Sequence, residues 1–166
     1  MILYHGSNIE VRQPRLFNQQ RPTDFGSGFY LTSDLEQATR WAVRITKRRQ
    51  TGTPTVSAFN VDISQWSLLK IRSFQIDEDW LEFVFNNRHL KYIENEWDVV
   101  FGPVADDQTM TTLGLYLSGR IKAYMAIEML LPPKLKDQYC FKTEAALSCL
   151  QFMEAIQWGY MTDLKN

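Results

Sequence analysis

The chain has 166 residues, of which 45% are hydrophobic and 22% charged, and its formal net charge is −1. This size and composition predict one globular domain and exclude a disordered segment, while the balanced charge excludes a global attraction to nucleic acid or to an acidic membrane surface. No charged, apolar leader opens the sequence and no apolar run approaches about 18 residues, so we expect a cytoplasmic protein without a membrane partner.

Apolar spacing predicts strands and helices that intermingle without a regular βαβ repeat, which favours an α+β domain over residues 1–166. In chain order we expect strands at 2–5 and 29–32, a helix opened by a capping box at Ser33 and Glu36, strands at 55–62 and 67–71, a helix capped by Asp77, a strand at 97–104, two helices within 107–131, a strand at 138–143 and a closing amphipathic helix over about 143–166.

The closing segment is unusually apolar, and its large side chains cannot all share one narrow helical stripe. It can dock onto the domain core, or part of it can face a partner, such as a neutralising protein or a second copy of the chain. The sequence leaves both uses open.

One of the two histidines lies in the stretch LYHGS, residues 3–7. His5 offers ring nitrogens, Gly6 offers a backbone that a ligand can approach without meeting a Cβ, and Ser7 adds a hydroxyl. The same three residues also suit a structural histidine beside a turn, so the motif alone does not indicate a site.

A second stretch, FGSGFYLT at residues 25–32, brings two glycines to the start of a strand. It lacks the spacing and the preceding strand of a dinucleotide-binding fingerprint. Alternation along the strand places Phe29 and Tyr30 on opposite faces, so only one of them can line a site with the glycines.

Together, LYHGS, then GSGFYLT and a following helix resemble the ADP-ribosyltransferase superfamily, in the branch with a His-Tyr-Glu triad that includes the poly(ADP-ribose) polymerases and the diphtheria toxin group. Members carry H-G-[ST] on a first strand, G-x-G-[IF]-Y on a second, and an aromatic residue eleven positions after the tyrosine, which is Trp41 here. A late strand carries the third residue in a pattern like N-E-Y-x-V, where this chain has DQYCF and therefore Gln138.

The resemblance runs from Tyr4 to about Phe141 and implies split, mixed β-sheets around an NAD⁺ cleft, flanked by helices. The segment DVVFGPVADD is similar to a bacterial subgroup of these domains, some of which look like toxins of toxin–antitoxin pairs.

The resemblance also implies a role for each matching residue, with NAD⁺ as the substrate, and no spacing in the sequence supports a metal site. His5 would hydrogen-bond the adenosine ribose, and Gly6 would grip the nicotinamide carboxamide with help from Ser7. Tyr30 and Trp41 would stack on the two faces of the cationic nicotinamide ring, which aromatic faces attract. His5, Tyr30 and Gln138 would form the catalytic triad.

Gln138 departs from the family pattern, because a glutamine keeps an acceptor oxygen but has no charge and cannot act as a base. It fits mono-ADP-ribosylation, NAD⁺ hydrolysis or binding without turnover. The alternative without a functional role is that Gln138 is a surface residue of the strand. Asp137 is no substitute, since alternation points it to the other face. Asp106 is a candidate on the acceptor side, unless it serves as a helix cap.

Other polar residues suggest structural roles. One helical stripe carries the cations Arg40, Arg44, Lys47 and Arg48, with Arg49 adjacent; it suits a solvated face, and binding of a nucleic-acid substrate or of the NAD⁺ pyrophosphate is the alternative. His89 reads as an exposed loop or helix end. Cys140 and Cys149 have no spacing to a histidine that indicates zinc, and Cys140 suits packing better than a nucleophilic pair with His5.

The sequence therefore predicts an NAD⁺-dependent mono-ADP-ribosyltransferase that modifies a macromolecular acceptor, either protein or nucleic acid, and that is a candidate toxin. The alternatives are an NAD⁺ or ADP-ribose binding module with weak or no catalysis, an NAD⁺ glycohydrolase, an RNA 2′-phosphotransferase of the same fold, and an interaction protein that uses the apolar end of the chain.

Overall fold

The structure is a computed structural model that describes residues 1–16, 23–89, 96–105, 107–131 and 136–157. The strands are β1 (Ile2–Ser7), β2 (Phe29–Leu31), β3 (Thr55–Val61), β4 (Ile71–Ser73), β5 (Val99–Pro103), β6 (Asp137–Phe141) and β7 (Leu150–Gln157). The α-helices are α1 (Leu35–Arg49), α2 (Glu78–Arg88), α3 (Asp107–Leu117), α4 (Ala123–Leu130) and α5 (Glu144–Leu147), and a 3₁₀ helix spans Ile63–Leu68.

The strands form two small sheets. One has the order β1-β3-β7 and is antiparallel throughout. The other has the order β2-β6-β5-β4, in which β4 and β5 run parallel and the remaining pairs antiparallel. The prediction of an α+β domain is confirmed. Within the described ranges, no helix combines the length and the apolar character that a membrane crossing requires.

Alternation along β2 divides its side chains between two apolar clusters. Phe29 belongs to a buried cluster with Phe59 and Phe141, while Tyr30 packs against a second cluster that contains Trp80. The prediction that Phe29 and Tyr30 face opposite sides is therefore confirmed. Burial of these large side chains supplies most of the driving force for folding.

Helix α1 covers the sheet that contains β1. Its buried face consists of Ala38, Ala42 and Ile45, and the two alanines pack against Val56 of β3. Small side chains on this face let the helix backbone approach β1 closely. The helix begins one residue later than the capping box predicts, because the Asp34 carboxylate accepts the Gln37 N–H at 2.9 Å. The predicted cap at Asp77 is confirmed.

The predicted closing helix over 143–166 is wrong where the structure describes it. A short helix, α5, ends at Leu147, and residues 150–157 form β7 against β3. Leu150 and Phe152 pack on the core of the first sheet while Met153 is exposed, so pairing with a distant strand overrides the local helical pattern. Residues 158–166, on which the predicted partner surface also depends, lie outside the described residues.

Candidate active site

The two sheets meet at one bridge and separate immediately after it. Tyr4 of β1 donates to the Thr32 carbonyl at 2.8 Å, and Thr32 donates back to the Tyr4 carbonyl at 3.0 Å. A continuing antiparallel ladder would next join Gly6 to Tyr30. Instead, His5 Nδ1 lies 2.8 Å from the Tyr30 carbonyl oxygen and takes the acceptor that the Gly6 N–H would have used.

Beyond this bridge no ladder joins β1 to β2 in the described residues, and we call this place the opening between β1 and β2; the peptide groups of Gly6 are directed toward it. Met1 precedes β1 and exchanges two hydrogen bonds with Val61 of β3. Because hydrogen-bonded pairs alternate along an antiparallel ladder, the odd-numbered residues of β1 direct their N–H and C=O groups at β3. Tyr4 and Gly6 point theirs the other way, toward β2. Among the described residues, none pairs with the N–H or the C=O of Gly6, so β1 offers an adjacent donor and acceptor there.

The missing side chain of Gly6 serves helix α1. A Cβ at this position would lie 2.1 Å from the Ala38 carbonyl oxygen and 2.9 Å from the Ala42 nitrogen. Helix α1 therefore fills the space on the Cβ side of Gly6, and the approach of a ligand to the Gly6 backbone stays a prediction. Glycine lets α1 cross β1 at this point, and a ligand would meet the strand's edge instead.

His5 is held as a neutral ring of defined tautomer. A carbonyl oxygen can only accept, so Nδ1 carries the proton that bonds Tyr30, which leaves Nε2 as an acceptor in the neutral ring. The ring stacks on Phe29 with the centroids 4.3 Å apart. Burial lowers the pKa of His5, the hydrogen bond to Tyr30 opposes this effect, and the positive charge of Arg49 adds to it.

The lowered pKa of His5 predicts that stability falls on mild acidification. Between the folded pKa and about 6.5, the unfolded chain binds the extra proton, so the free energy of unfolding is highest above that range and decreases as the pH falls through it. One proton gives a slope of at most about 1.4 kcal/mol per pH unit. Urea unfolding from pH 5 to 7.5 should show this slope in the wild type and a smaller one in His5→Gln.

The second histidine supplies the matched control for this measurement. His89 is exposed at the end of α2, as the sequence predicts, with Nδ1 2.9 Å from the Phe85 carbonyl oxygen. The slope should fall more in His5→Gln than in His89→Gln. Equal slopes in the wild type and in His5→Gln would show that His5 is not held neutral.

Tyr30 fastens the turn that precedes β2. Its hydroxyl donates to the Gly26 carbonyl at 2.7 Å and accepts the Phe25 N–H at 3.1 Å, with Thr23 Oγ1 a further 3.0 Å partner. Burial is the main reason that the pKa of Tyr30 is raised well above its usual value, so the phenol stays protonated. The hydroxyl is occupied by the turn, and stacking of the Tyr30 ring on a ligand stays a prediction.

The two glycines of the second motif have structural tasks. Gly26 has φ +78°, which side chains rarely adopt, and a Cβ at Gly28 would lie 2.4 Å from Cys140 Sγ. The Lys142 ammonium lies under this turn and donates to the carbonyl oxygens of Phe25 and Ser27. These contacts fix the shape of the turn on which Tyr30 is fastened.

Trp41 lies on α1 close to the place where this helix crosses Gly6. It precedes Ala42 by one residue and is 47% exposed, with the Arg44 guanidinium 5.8 Å from its ring centroid. Among the described residues, no ring contact joins Trp41 to Tyr30, so a sandwich of these two rings stays a prediction. Ser7, the last residue of β1, is buried.

Gln138 does not lie on an open surface. It is 8% exposed, and its Nε2 donates to Asp24 Oδ2 at 2.7 Å and to the Pro103 carbonyl at 3.2 Å. Asp24 also accepts from Arg88 Nε at 2.6 Å and from the Ala105 N–H at 2.8 Å. The sequence interpretation missed Asp24 and Arg88, although a carboxylate between Thr23 and Phe25, beside the glycine turn, was a signal.

The remaining candidates have different outcomes. Asp137 points away from Gln138 and accepts from Thr32 and Ser33, as alternation predicts, while Asp106 lies outside the described residues.

Cys140 is fully buried, and burial raises the pKa of its thiol to about 11, so its predicted packing role is confirmed. In the part of the chain that the structure describes, no three metal-ligating side chains come together.

A shallow surface depression of about 650 Å³ lies between the start of α2 and the α3–α4 turn, and none of the predicted site residues lines it. Tyr116 on its wall donates to Glu78 at 2.6 Å, and this hydrogen bond raises the pKa of Tyr116 to about 12. The phenol of Tyr116 therefore stays protonated at neutral pH, and the predicted site residues lie elsewhere, at β1 and β2.

The chain belongs to the family described as "Protein of unknown function (DUF3990)", whose model matches residues 1–152. Comparisons with curated proteins and with solved structures returned no match.

Proposed function

We propose that this protein binds NAD⁺ in the opening between β1 and β2 and transfers one ADP-ribose unit to a macromolecular acceptor. The observation that carries the proposal is the edge of β1 at Gly6, with which no described residue pairs, beside the neutral His5 ring that bonds the Tyr30 carbonyl of β2. Two sheets that part at this point are also what the resemblance to ADP-ribosyltransferases implies for the fold.

Nicotinamide matches the edge of β1 chemically. Its carboxamide has one carbonyl acceptor and an NH₂ donor, which complement the N–H and C=O of Gly6 as a peptide unit on a neighbouring strand would. A buried peptide group without a partner is costly, so this pairing would stabilise the complex. His5 Nε2 would accept a hydroxyl of the adenosine ribose, and the Tyr30 ring would stack on the cationic nicotinamide.

The reaction breaks the bond between ribose C1′ and the nicotinamide nitrogen. The bonding electron pair leaves with nicotinamide, which becomes neutral, and positive charge develops on the ribose. A nucleophilic atom of the acceptor bonds to C1′ and loses its proton to solvent. The products are nicotinamide, the ADP-ribosylated acceptor and one proton, and preorganised acceptors such as Gln138 Oε1 would stabilise the developing charge.

A neutral third residue favours a single transfer. Extending a poly(ADP-ribose) chain requires activation of a ribose hydroxyl as the next nucleophile, and an amide cannot accept that proton. The proposal is therefore a mono-ADP-ribosyltransferase that acts in the cytoplasm, and a role as a toxin, held in check by a protein partner, is the corresponding biological proposal.

The same glutamine supports a second candidate, a module that binds NAD⁺ or ADP-ribose without turnover. Both N–H groups of Gln138 are used by Asp24 and Pro103, so the residue is built firmly into the fold. Binding without release of nicotinamide is the result that distinguishes this candidate.

The test is nicotinamide release from NAD⁺ by the purified protein, with and without a cell lysate that supplies acceptors. We expect release that the lysate stimulates, and a loss of at least about tenfold in His5→Ala, since the hydrogen bond from the ribose hydroxyl to Nε2 is removed. His89→Ala is the matched control and should behave like the wild type. NAD⁺ affinity is measured in parallel by calorimetry.

Each outcome separates the candidates. If the wild type binds NAD⁺ without releasing nicotinamide, and His5→Ala weakens this binding, the protein is a binding module. Release that needs no acceptor would establish a glycohydrolase. If His5→Ala, like His89→Ala, changes neither nicotinamide release nor NAD⁺ binding, the opening between β1 and β2 is not the site.

A further inference from the structure

A buried carboxylate and a buried amide meet at Gln138 of β6, the strand that pairs with β2. Asp24 is 5% exposed, and its two oxygens receive Arg88 Nε at 2.6 Å, the Ala105 N–H at 2.8 Å and Gln138 Nε2 at 2.7 Å. Arg88 also donates to the Ala105 carbonyl oxygen, so its guanidinium is fixed at two points. Both oxygens of the carboxylate are therefore hydrogen-bonded before any ligand arrives.

This network determines which way the Gln138 amide faces. Its two contacts, Asp24 Oδ2 and the Pro103 carbonyl oxygen at 3.2 Å, are both acceptors, so the NH₂ group must lie toward them. The carbonyl oxygen Oε1 is consequently turned away from Asp24, and no described residue donates to it. A hydrogen bond from an amide to a carboxylate also polarises the amide and makes its oxygen a stronger acceptor.

We infer that Asp24 is the positioning residue of the site, an inference that rests on the proposed function. Gln138 supplies the oxygen that faces the ribose, and the Asp24–Arg88 pair fixes its orientation and strengthens it. Two residues thereby share what a single glutamate does in the related triad: one presents the acceptor, and the other holds the negative charge one hydrogen bond behind it.

The substitution Asp24→Asn tests the orientation. An asparagine that keeps its oxygen for Arg88 presents an NH₂ group where Oδ2 received both the Ala105 N–H and Gln138, so the Gln138 amide turns and directs its donor outward. We expect nicotinamide release at saturating NAD⁺ to fall at least about tenfold, while the Kd for NAD⁺ changes less than about threefold. A residue that only supported folding would not separate rate from affinity in this way.

Asp98→Asn is the matched control. Its carboxylate accepts the Lys70 N–H at 2.8 Å and the Thr143 hydroxyl at 2.6 Å, a similar structural task in a part of the sheet without site residues. It should lose comparable stability and keep the wild-type rate. Rates are compared below the unfolding temperature of both variants, which circular dichroism establishes.

The double variant Asp24→Asn with Gln138→Glu keeps the inference falsifiable if the single variant folds poorly. The asparagine NH₂ can then donate to the new carboxylate, so we expect a higher release rate than in Asp24→Asn alone. In the wild type, hydrogen exchange of the Gln138 NH₂ group, followed by ¹⁵N NMR, should be slow because both of its N–H groups are bonded.

The failures of the two proposals are distinguishable. A wild type that neither binds NAD⁺ nor releases nicotinamide contradicts the proposed function. Three results would each overturn the positioning role while the proposed function stands. The first is an unchanged rate of nicotinamide release in Asp24→Asn, and the second is a folded double variant that is no faster than Asp24→Asn. The third is rapid hydrogen exchange of the Gln138 NH₂ group in the wild type.

Discussion

Replacing Gln138 by glutamate is expected to destabilise the protein by about 3–5 kcal/mol near neutral pH, although the family resemblance would favour glutamate at this position. The substitution puts a carboxylate oxygen where Nε2 now lies, 2.7 Å from Asp24 Oδ2 and 3.2 Å from the Pro103 carbonyl oxygen. Three acceptors would then face one another without a proton between them, in a site that is 8% exposed at Gln138.

The destabilisation by Gln138→Glu should depend on pH. The neighbouring negative charge and burial both raise the pKa of a glutamate at position 138. A raised folded-state pKa means that the folded chain binds more protons, so the loss of stability is smallest at acidic pH and grows as the pH rises from the unfolded value of about 4.3 through the folded pKa. Urea unfolding at pH 5 and pH 8 measures this difference.

Gln65→Glu is the matched control for this substitution. The Gln65 amide also donates to a carboxylate, Asp62 Oδ2 at 2.9 Å, but on an exposed part of the 3₁₀ helix. Water screens the added charge there, and we expect a cost of at most about 1 kcal/mol. If Gln138→Glu costs no more than Gln65→Glu, or raises nicotinamide release, the carboxylate of Asp24 does not control this position.

The sequence predicted the parts of the fold that depend on local patterns. The Asp77 cap, the helix before Gln50 and the break between α3 and α4 each follow from neighbouring residues. Strand β7 was missed because its conformation depends on pairing with β3, nearly a hundred residues earlier, a contact that no local pattern reports.

The candidate site divides in the same way. The family motifs identified His5 and Tyr30, and the structure brings them within one hydrogen bond of each other. Asp24 was missed because its partners Arg88, Ala105 and Gln138 are 64, 81 and 114 residues away along the chain. A charged residue beside a glycine turn is ordinarily solvated, and only the tertiary structure shows that this one is buried and paired.

Arg88→Ala is expected to have a stability effect of similar size, about 3–5 kcal/mol, because it leaves the buried charge of Asp24 without its cation. Arg88 is 26% exposed and Asp24 5% in this ion pair. The exposed pair of Arg40 with Glu36, 2.7 Å apart on α1, is the contrast, and Arg40→Ala should cost about 0.5 kcal/mol or less. Urea unfolding of both variants makes the comparison.

Removing both partners of the buried pair tests the cause. If the cost of Arg88→Ala arises from the unpaired carboxylate, adding Asp24→Ala should recover part of the lost stability, whereas independent effects would add. The double variant should still release no nicotinamide above the rate of Asp24→Asn, since Gln138 has lost the partner that orients it. Recovered stability with absent turnover would separate the role of this pair in folding from its role in presenting the acceptor oxygen to the ribose.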